Sequence, residues 1–161
     1  MKEIHFMAKA PEFVSQLTQG AFLTVQSEEG LNTMTIGWAQ IGILWGRPLL
    51  TVAVRKTRHT FRIIEKASDF TVSVPWENKA QALQFCGSRS GAKMNKFEAC
   101  GLTTHPGQKT LSPIIELRGM HYECRILYKT PLDPRFLDAA LEKVYPAKDY
   151  HTLYFGEIVA C

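Results

Sequence analysis

L-N-T-M-T-I-G-W at Leu31–Trp38, followed by R-P-L-L-T-V-A-V-R-K-T-R-H-T at Arg47–Thr60, decides how this chain folds. In the first stretch Met34, Ile36 and Trp38 fall on one face and Thr33, Thr35 and Gly37 on the other. That is the two-residue period of a strand over Thr33–Trp38. Leu49–Val54 is near-continuously apolar, as a strand buried on both faces should be. It stops at Arg55, Lys56, Thr57, Arg58, His59 and Thr60, where helical spacing through Phe61, Ile63 and Ile64 takes over. A helix start carries free backbone N–H groups and a partial positive charge. Guanidinium forks and hydroxyls added there make a phosphate site, each charge-assisted bond contributing about 1.5–3 kcal/mol. A solvated basic helix start would look the same, so the neighbouring motifs must decide.

Outward from this block the chain is rich in short β runs. Ala21–Gln26 is bounded by Gly20 and the turn-like S-E-E-G, and Phe70–Val74 is a strand ended by Pro75. A helix is expected from about Arg58 to Lys66, and a second from Lys79 to its break at Gly87. A Ser/Gly loop precedes a further helical segment, K-M-N-K-F-E-A-C, which ends at Gly101. Thr103–Pro113, punctuated by Pro and Gly, reads as an exposed loop. Leu117–Lys129 is a long strand, Pro134–Val144 a short helix with Pro in its first turn, and Leu153–Val159 a closing strand. Six or seven strands, two or three inserted helices and no regular βαβ alternation describe a mainly β fold. A closed antiparallel barrel with helices plugging its gaps fits; a doubly wound parallel sheet does not.

The 161 residues are expected to form one domain, 1–161, with 45% hydrophobic and 21% charged residues as in ordinary globular proteins. No apolar stretch approaches the roughly 20 residues of a bilayer span, and the N-terminus lacks a signal-peptide core. A cytoplasmic protein without membrane contact is the expectation. The net charge of +4 is spread along the chain; it does not argue for nucleic acid. Cys86, Cys100, Cys124 and Cys161 form no C-x-x-C pair, so no zinc site is expected and the thiols should be free.

Among the remaining motifs, G-S-R-S-G-A-K at Gly87–Lys93 has too few residues between its glycines for a P-loop. Its serines, Arg89 and the following Lys93 and Lys96 nevertheless form a second donor-rich cluster that complements Arg55–Thr60. No G-x-G-x-x-G follows a strand, so a Rossmann half is absent. A Trp that ends a strand, like Trp38, is more often a packed core residue than a cofactor partner, although Asn32, Thr33 and Thr35 beside it present donors where a flat heterocycle could lie. The five histidines are dispersed, and no metal-ligand spacing occurs. His151, next to Tyr150 and ahead of the last strand, is the one with a candidate role. Neither a G-x-S-x-G elbow nor a partnered Cys supports nucleophilic catalysis. Glu157, in an apolar strand, should be hydrogen-bonded. The chemistry therefore points to a cofactor.

Five segments in this order resemble the flavin reductase-like family of FMN-binding split barrels, which includes the flavoredoxins. They are Asn32–Trp38, Arg47–Thr60, Phe70–Pro75, Cys86–Phe97 and H-T-L-Y-F-G-E-I from His151. The resemblance covers about residues 10–160. It implies a homodimer of six-stranded antiparallel Greek-key barrels, each with one FMN near the dimer interface. By the same resemblance Asn32, Thr33, Met34 and Thr35 line the isoalloxazine edge, with Trp38 close by. Arg55, Thr57 and Thr60 hold the phosphate, Ser88, Ser90, Gly91 and Lys96 complete the ribityl and phosphate side, and His151 lies near the exposed flavin face. The chain departs from the family in I-G-I-L-W-G-R-P at Ile41–Pro48, where Trp45 is expected to crowd the substrate face.

The implied activity is electron transfer from NAD(P)H or a protein donor to flavin or another acceptor. Two other readings stay open from the sequence: a flavoredoxin-type carrier without NAD(P)H activity, and a flavin-free barrel that binds small molecules or nucleic acid.

Overall fold

The computed structural model describes residues 4–161; the first three residues of the expected 1–161 domain lie outside the described residues. Four α-helices, α1 (Ala10–Gln16), α2 (His59–Ile64), α3 (Ala80–Ser88) and α4 (Lys96–Cys100), decorate one large sheet. Its strands are β1 (Ala21–Ser27), β2 (Gly30–Ile36), β3 (Ala39–Leu44), β4 (Arg47–Arg55) and β5 (Asp69–Pro75), then β8 (Gly119–Pro131) and β9 (His151–Ala160). Two short strands, β6 (Thr104–His105) and β7 (Ile114–Ile115), pair separately. The order across the large sheet is β2-β1-β5-β8-β9-β4-β3, antiparallel throughout.

One connection shows that this sheet is rolled. β2 and β3 are its opposite edges, yet only Gly37 and Trp38 join them. Flat strands at about 4.8 Å spacing would hold the edges about 29 Å apart, whereas the step from Ile36 to Ala39 reaches about 11 Å at most. The edges must therefore meet, and the Trp38 carbonyl accepts a hydrogen bond from the Ala53 N–H at 3.3 Å. The result is a barrel with one unpaired seam. Its interior is filled by alternate residues of each strand, among them Leu23, Met34, Leu50, Val52, Phe70, Val72, Tyr122 and Tyr154, the period-2 pattern of a barrel wall.

Seven strands replace the expected six because Ala39–Leu44 pairs as an edge strand. Its residues are mostly exposed, so no alternation announces it. Trp45 and Gly46 turn the β3–β4 hairpin with φ of 54° and 67°. Two successive positive φ values match the right-handed twist of the flanking strands. Thr33–Trp38 is corrected to Gly30–Ile36, and Trp38 lies in the crossing rather than in a strand.

The expected Pro134–Val144 helix is instead two 3₁₀ turns, Pro134–Phe136 and Ala139–Val144. Asp138 interrupts them because its carboxylate accepts from the Ala140 N–H at 2.8 Å, a cap that starts a new turn. Asn95 delays α4 in the same way, accepting from the Phe97 and Glu98 N–H groups at 3.0 and 3.4 Å. Lys96 thereby becomes the first residue of α4. The Thr103–Pro113 loop is held by two carboxylates. Glu123 accepts from the N–H groups of Gln108 and Lys109, and Asp69 from those of Leu111 and Ser112. Glu157 pairs with Arg47 and Arg125 at 2.5 and 2.6 Å.

Candidate functional site

Two adjoining cavities open along the seam, and they share Met34 and Arg58. The first, of about 80 Å³, lies between β2, the start of α2 and the α3–α4 loop. Asn32, Thr60, Cys86 and Lys96 form its buried floor; Thr57, Arg58, Ser88, Arg89 and Ser90 form its exposed rim. Arg58, Arg89 and Lys96 supply positive charge, and among the described residues no carboxylate lines it. α2 has only six residues, so the charge of this cradle comes from side chains more than from a helix dipole.

Each floor residue is held in place. Asn32 Nδ2 donates to Thr60 Oγ1 at 2.8 Å. Lys96 Nζ donates to the carbonyls of Thr33 at 3.0 Å and Cys86 at 2.7 Å. An ammonium has three donors, so one remains for an anion. Burial, the largest cause, holds the Lys96 pKa below its usual value. Gly91 approaches so closely that a Cβ there would overlap Asn32 Oδ1 and lie 2.7 Å from its Cγ. Arg58 Nη1 donates to the Gly87 carbonyl at 2.9 Å, tying the start of α2 to the end of α3.

The second cavity, of about 200 Å³, is lined by Met34, Thr35, Ile36, Gly37, Trp38, Ala53, Arg55, Arg58 and His151. Here the surface is aromatic. Trp38 stacks on His151 with centroids 4.6 Å apart, and Tyr145 lies edge-on to both. His151 Nδ1 and Tyr145 Oη are 2.8 Å apart. A hydroxyl that donates to Nδ1 leaves the ring proton on Nε2. Burial, helped by the nearby Arg55 guanidinium, lowers the His151 pKa to about 4, so the ring is neutral at pH 7.

That neutrality has a pH consequence. The unfolded chain takes up a proton on His151 near pH 6.5, and the folded chain resists it down to about pH 4. Its contribution to stability is therefore complete above about pH 6.5 and is lost as pH falls towards 4. Urea midpoints should fall across this window, and His151→Gln should remove that part of the fall. Equal slopes in both proteins would place the titration elsewhere.

The structure distributes the candidate residues between the two ends. Asn32, Thr57, Thr60, Ser88, Ser90, Gly91 and Lys96 line the cradle; Thr35, Trp38, Arg55 and His151 line the aromatic end; Met34 lines both. Thr33 lines neither. It is buried on the other face of β2, donating to the Leu23 carbonyl at 3.2 Å. Arg55 lies away from the cradle, in a bidentate pair with Asp149 at 2.9 and 3.0 Å, bonded to the Val144 carbonyl and over the Tyr145 ring. That guanidinium holds the Asp149 carboxyl below its ordinary pKa.

Arg58 is the guanidinium at the cradle. It stood in the R-K-T-R-H-T cluster, but nothing in a linear cluster says which arginine a distant aspartate will claim. Asp149 and Tyr145 carried no signal of their own. Trp45, at the tip of the β3–β4 hairpin, is exposed and lies against Tyr128 and Phe155 with ring centroids 6.2 Å from each. Among the described residues no group of three or more His, Cys, Asp or Glu is placed to hold a metal ion.

Residues 15–161 match the family model of the flavin reductase like domain. The chain belongs to the flavin reductase-like family. An uncharacterized protein of Archaeoglobus fulgidus is 29% identical over 138 residues, covering 86% of this chain and 68% of its own length. Flavoredoxin of Desulfovibrio vulgaris (Miyazaki F) superimposes with a TM-score of 0.68 at 24% identity, over 87% of this chain and 66% of its own. An FMN-binding protein of Thermus thermophilus gives a TM-score of 0.65 at 25% identity, over 88% of this chain and 67% of its own. The chain thus spans about two thirds of the length of these relatives. The neighbours share the mainly β, split-barrel architecture, and among the described residues no helix is long and apolar enough to cross a membrane.

Proposed function

We propose that the chain binds FMN along the seam and serves as an FMN-dependent oxidoreductase, passing electrons from NAD(P)H or a protein donor to flavin or another acceptor. One observation carries this reading: a carboxylate-free cationic cradle adjoins an aromatic cleft, and Met34 and Arg58 belong to both. A dianion at one end and a flat heterocycle at the other match that pair of surfaces. The donor set suits a phosphate, and the close approach of Gly91 to Asn32 lets the rim loop seat against the cradle floor.

In this reading Arg58, Lys96, Thr60 and Ser90 hold the phosphate, Gly91 lets the rim loop close on Asn32, and Asn32 keeps Thr60 aimed. FMN, when bound, supplies hydride acceptance and the return of those electrons. The protein orients and desolvates. Neutral His151 adds no positive charge at the aromatic end, and Tyr145 together with the Arg55–Asp149 pair holds its ring against Trp38. A cytoplasmic location is part of the proposal.

A homodimer is part of it too. Ile43, Leu44, Trp45, Leu127, Tyr128 and Phe136 are all exposed, Phe136 at 86%. Trp45, Tyr128 and Phe155 cluster among them. Contiguous apolar surface of this kind marks an association site, and sedimentation as a monomer at micromolar concentration would remove it.

The test is a visible spectrum of the FMN-reconstituted protein, recorded without oxygen before and after NADH or NADPH. A bound-flavin band that bleaches with either nucleotide is expected. A band that persists with both and bleaches only with dithionite makes the protein an electron carrier. Arg58→Ala should weaken FMN binding by about 10- to 100-fold, the effect of one charge-assisted contact. Absence of flavin binding by the unaltered chain would overturn the proposal and leave a flavin-free binding barrel.

A further inference from the structure

Behind the cradle, two thiols lie side by side. Cys86 is in the last turn of α3, 1% exposed, and Cys100 is the last residue of α4, half-buried in the same apolar cluster with Leu83 and Phe97. Burial, and then the Cys100 side chain within hydrogen-bonding reach, push the Cys86 thiol up to about 12. Both are free. They differ in access. Cys100 lines an open surface cavity of about 650 Å³ with Asn78, Lys79 and Phe85, whereas Cys86 does not reach that cavity and lies buried at the floor of the narrow cradle. The segment between them, residues 87–99, contains the whole α3–α4 loop and Lys96, whose ammonium grips the Cys86 carbonyl.

We propose that Cys86 and Cys100 are a redox pair that small disulfides oxidise to an internal disulfide. The Cys100 thiolate attacks one sulfur of R–S–S–R; a Cys100–R disulfide forms, and R–S⁻ leaves and takes up the proton that Cys100 lost. The Cys86 thiolate then attacks Cys100 Sγ, the Cys86–Cys100 bond forms, and the second R–S⁻ leaves with a proton. The dithiol loses two electrons and two protons, and the disulfide oxidant becomes two thiols.

The order of attack follows from access, since only Cys100 meets the cavity. The second step is eased by the first. Cys86 resists ionisation because it is buried and because Cys100 is beside it, while Lys96 favours its thiolate. A mixed disulfide on Cys100 removes that neighbour's charge and leaves Lys96 in place. The finished bond staples α3 to α4 and closes the loop that forms the cradle rim, so anion release from the cradle slows severalfold. That last consequence rests on the FMN reading; the disulfide itself does not.

The experiment uses the full chain incubated with glutathione disulfide, then denatured for thiol titration and peptide mass mapping, with no flavin in the readout. The titre should fall from four thiols to two per chain, with a Cys86–Cys100 linked peptide and no retained glutathione. Cys86→Ser should trap one glutathione on Cys100, and Cys100→Ser should leave Cys86 unmodified. A titre that stays at four, a lasting glutathione adduct on the unaltered chain, or a link between Cys124 and Cys161 would overturn the proposal. FMN release, compared between the oxidised and reduced forms, then tests the consequence alone.

Discussion

Gly91→Ala should weaken FMN binding by about 100-fold while lowering the melting temperature by no more than about 4 °C. The new Cβ would overlap Asn32 Oδ1 and sit 2.7 Å from Cγ and 3.1 Å from Nδ2. Asn32 is buried at 4% exposure and has little room to retreat. Either its amide rotates and lets go of Thr60, breaking the 2.8 Å bond, or the loop lifts and opens the rim. Both routes cost the phosphate about two donors. At about 1.5 kcal/mol each that is about 3 kcal/mol, or roughly 100-fold in affinity. The fold is spared because residues 89–90 and 92–95 are exposed and can shift without leaving a hole.

A second substitution separates this cause from a general loosening of the loop. Asn32→Ala removes the atoms that the Cβ would meet, so Gly91→Ala in that background should cost less than about 10-fold, a coupling that only neighbouring residues show. Flavin fluorescence quenching gives both affinities. Equal losses in the two backgrounds would mean that the glycine matters for some reason other than its approach to Asn32.

Lys96→Met should lower the melting temperature by about 6–12 °C and reduce flavin affinity as well. The ammonium is 4% exposed and bridges two main-chain carbonyls, Thr33 on β2 and Cys86 on α3. Methionine nearly matches its volume but offers no donor. Two charge-assisted bonds are lost and two enclosed carbonyls lose a partner, a destabilisation of about 3 kcal/mol. For a domain of this size each kcal/mol moves the midpoint by about 2–4 °C. Calorimetry without flavin reads the structural part, and titration with FMN reads the rest. A midpoint within a degree or two of the unaltered protein would show that this lysine does not brace β2 against α3. The basic run K-M-N-K gave no hint of such a role, because a lysine in a short polar helical segment is ordinarily solvated. Only the Asn95 cap, which starts α4 one residue later, makes Lys96 the one that turns inward.

Much of the barrel was legible beforehand because its interior is built on a short-range rule. Strand residues alternate between core and exterior, so Ala21–Gln26, Leu49–Val54 and Phe70–Val74 declare themselves through their own side chains. Turn and cap residues act over three or four positions, and Gly20, Pro75 and Gly101 ended their elements on that basis. Signals failed where the environment was shared between distant segments. β3 has an exposed edge and no alternation, so its existence depends on β4 pairing with it. Trp38 continues the β2 period in sequence, yet the chain must leave the strand there to cross the seam.

The candidate site divides along the same line. Residue type and local order marked two donor-rich clusters, at Arg55–Thr60 and Ser88–Lys96, because charge and hydroxyl content are properties of the chain itself. Tertiary structure brought these clusters to one seam and assigned their members. Asp149, nearly a hundred residues from Arg55 in the chain, claims that guanidinium and leaves Arg58 to the cradle. Tyr145 and Trp38 enclose His151 and keep it neutral. Side-chain chemistry is written locally, whereas its partner, its burial and hence its charge state are set by whichever segments the closing barrel brings alongside.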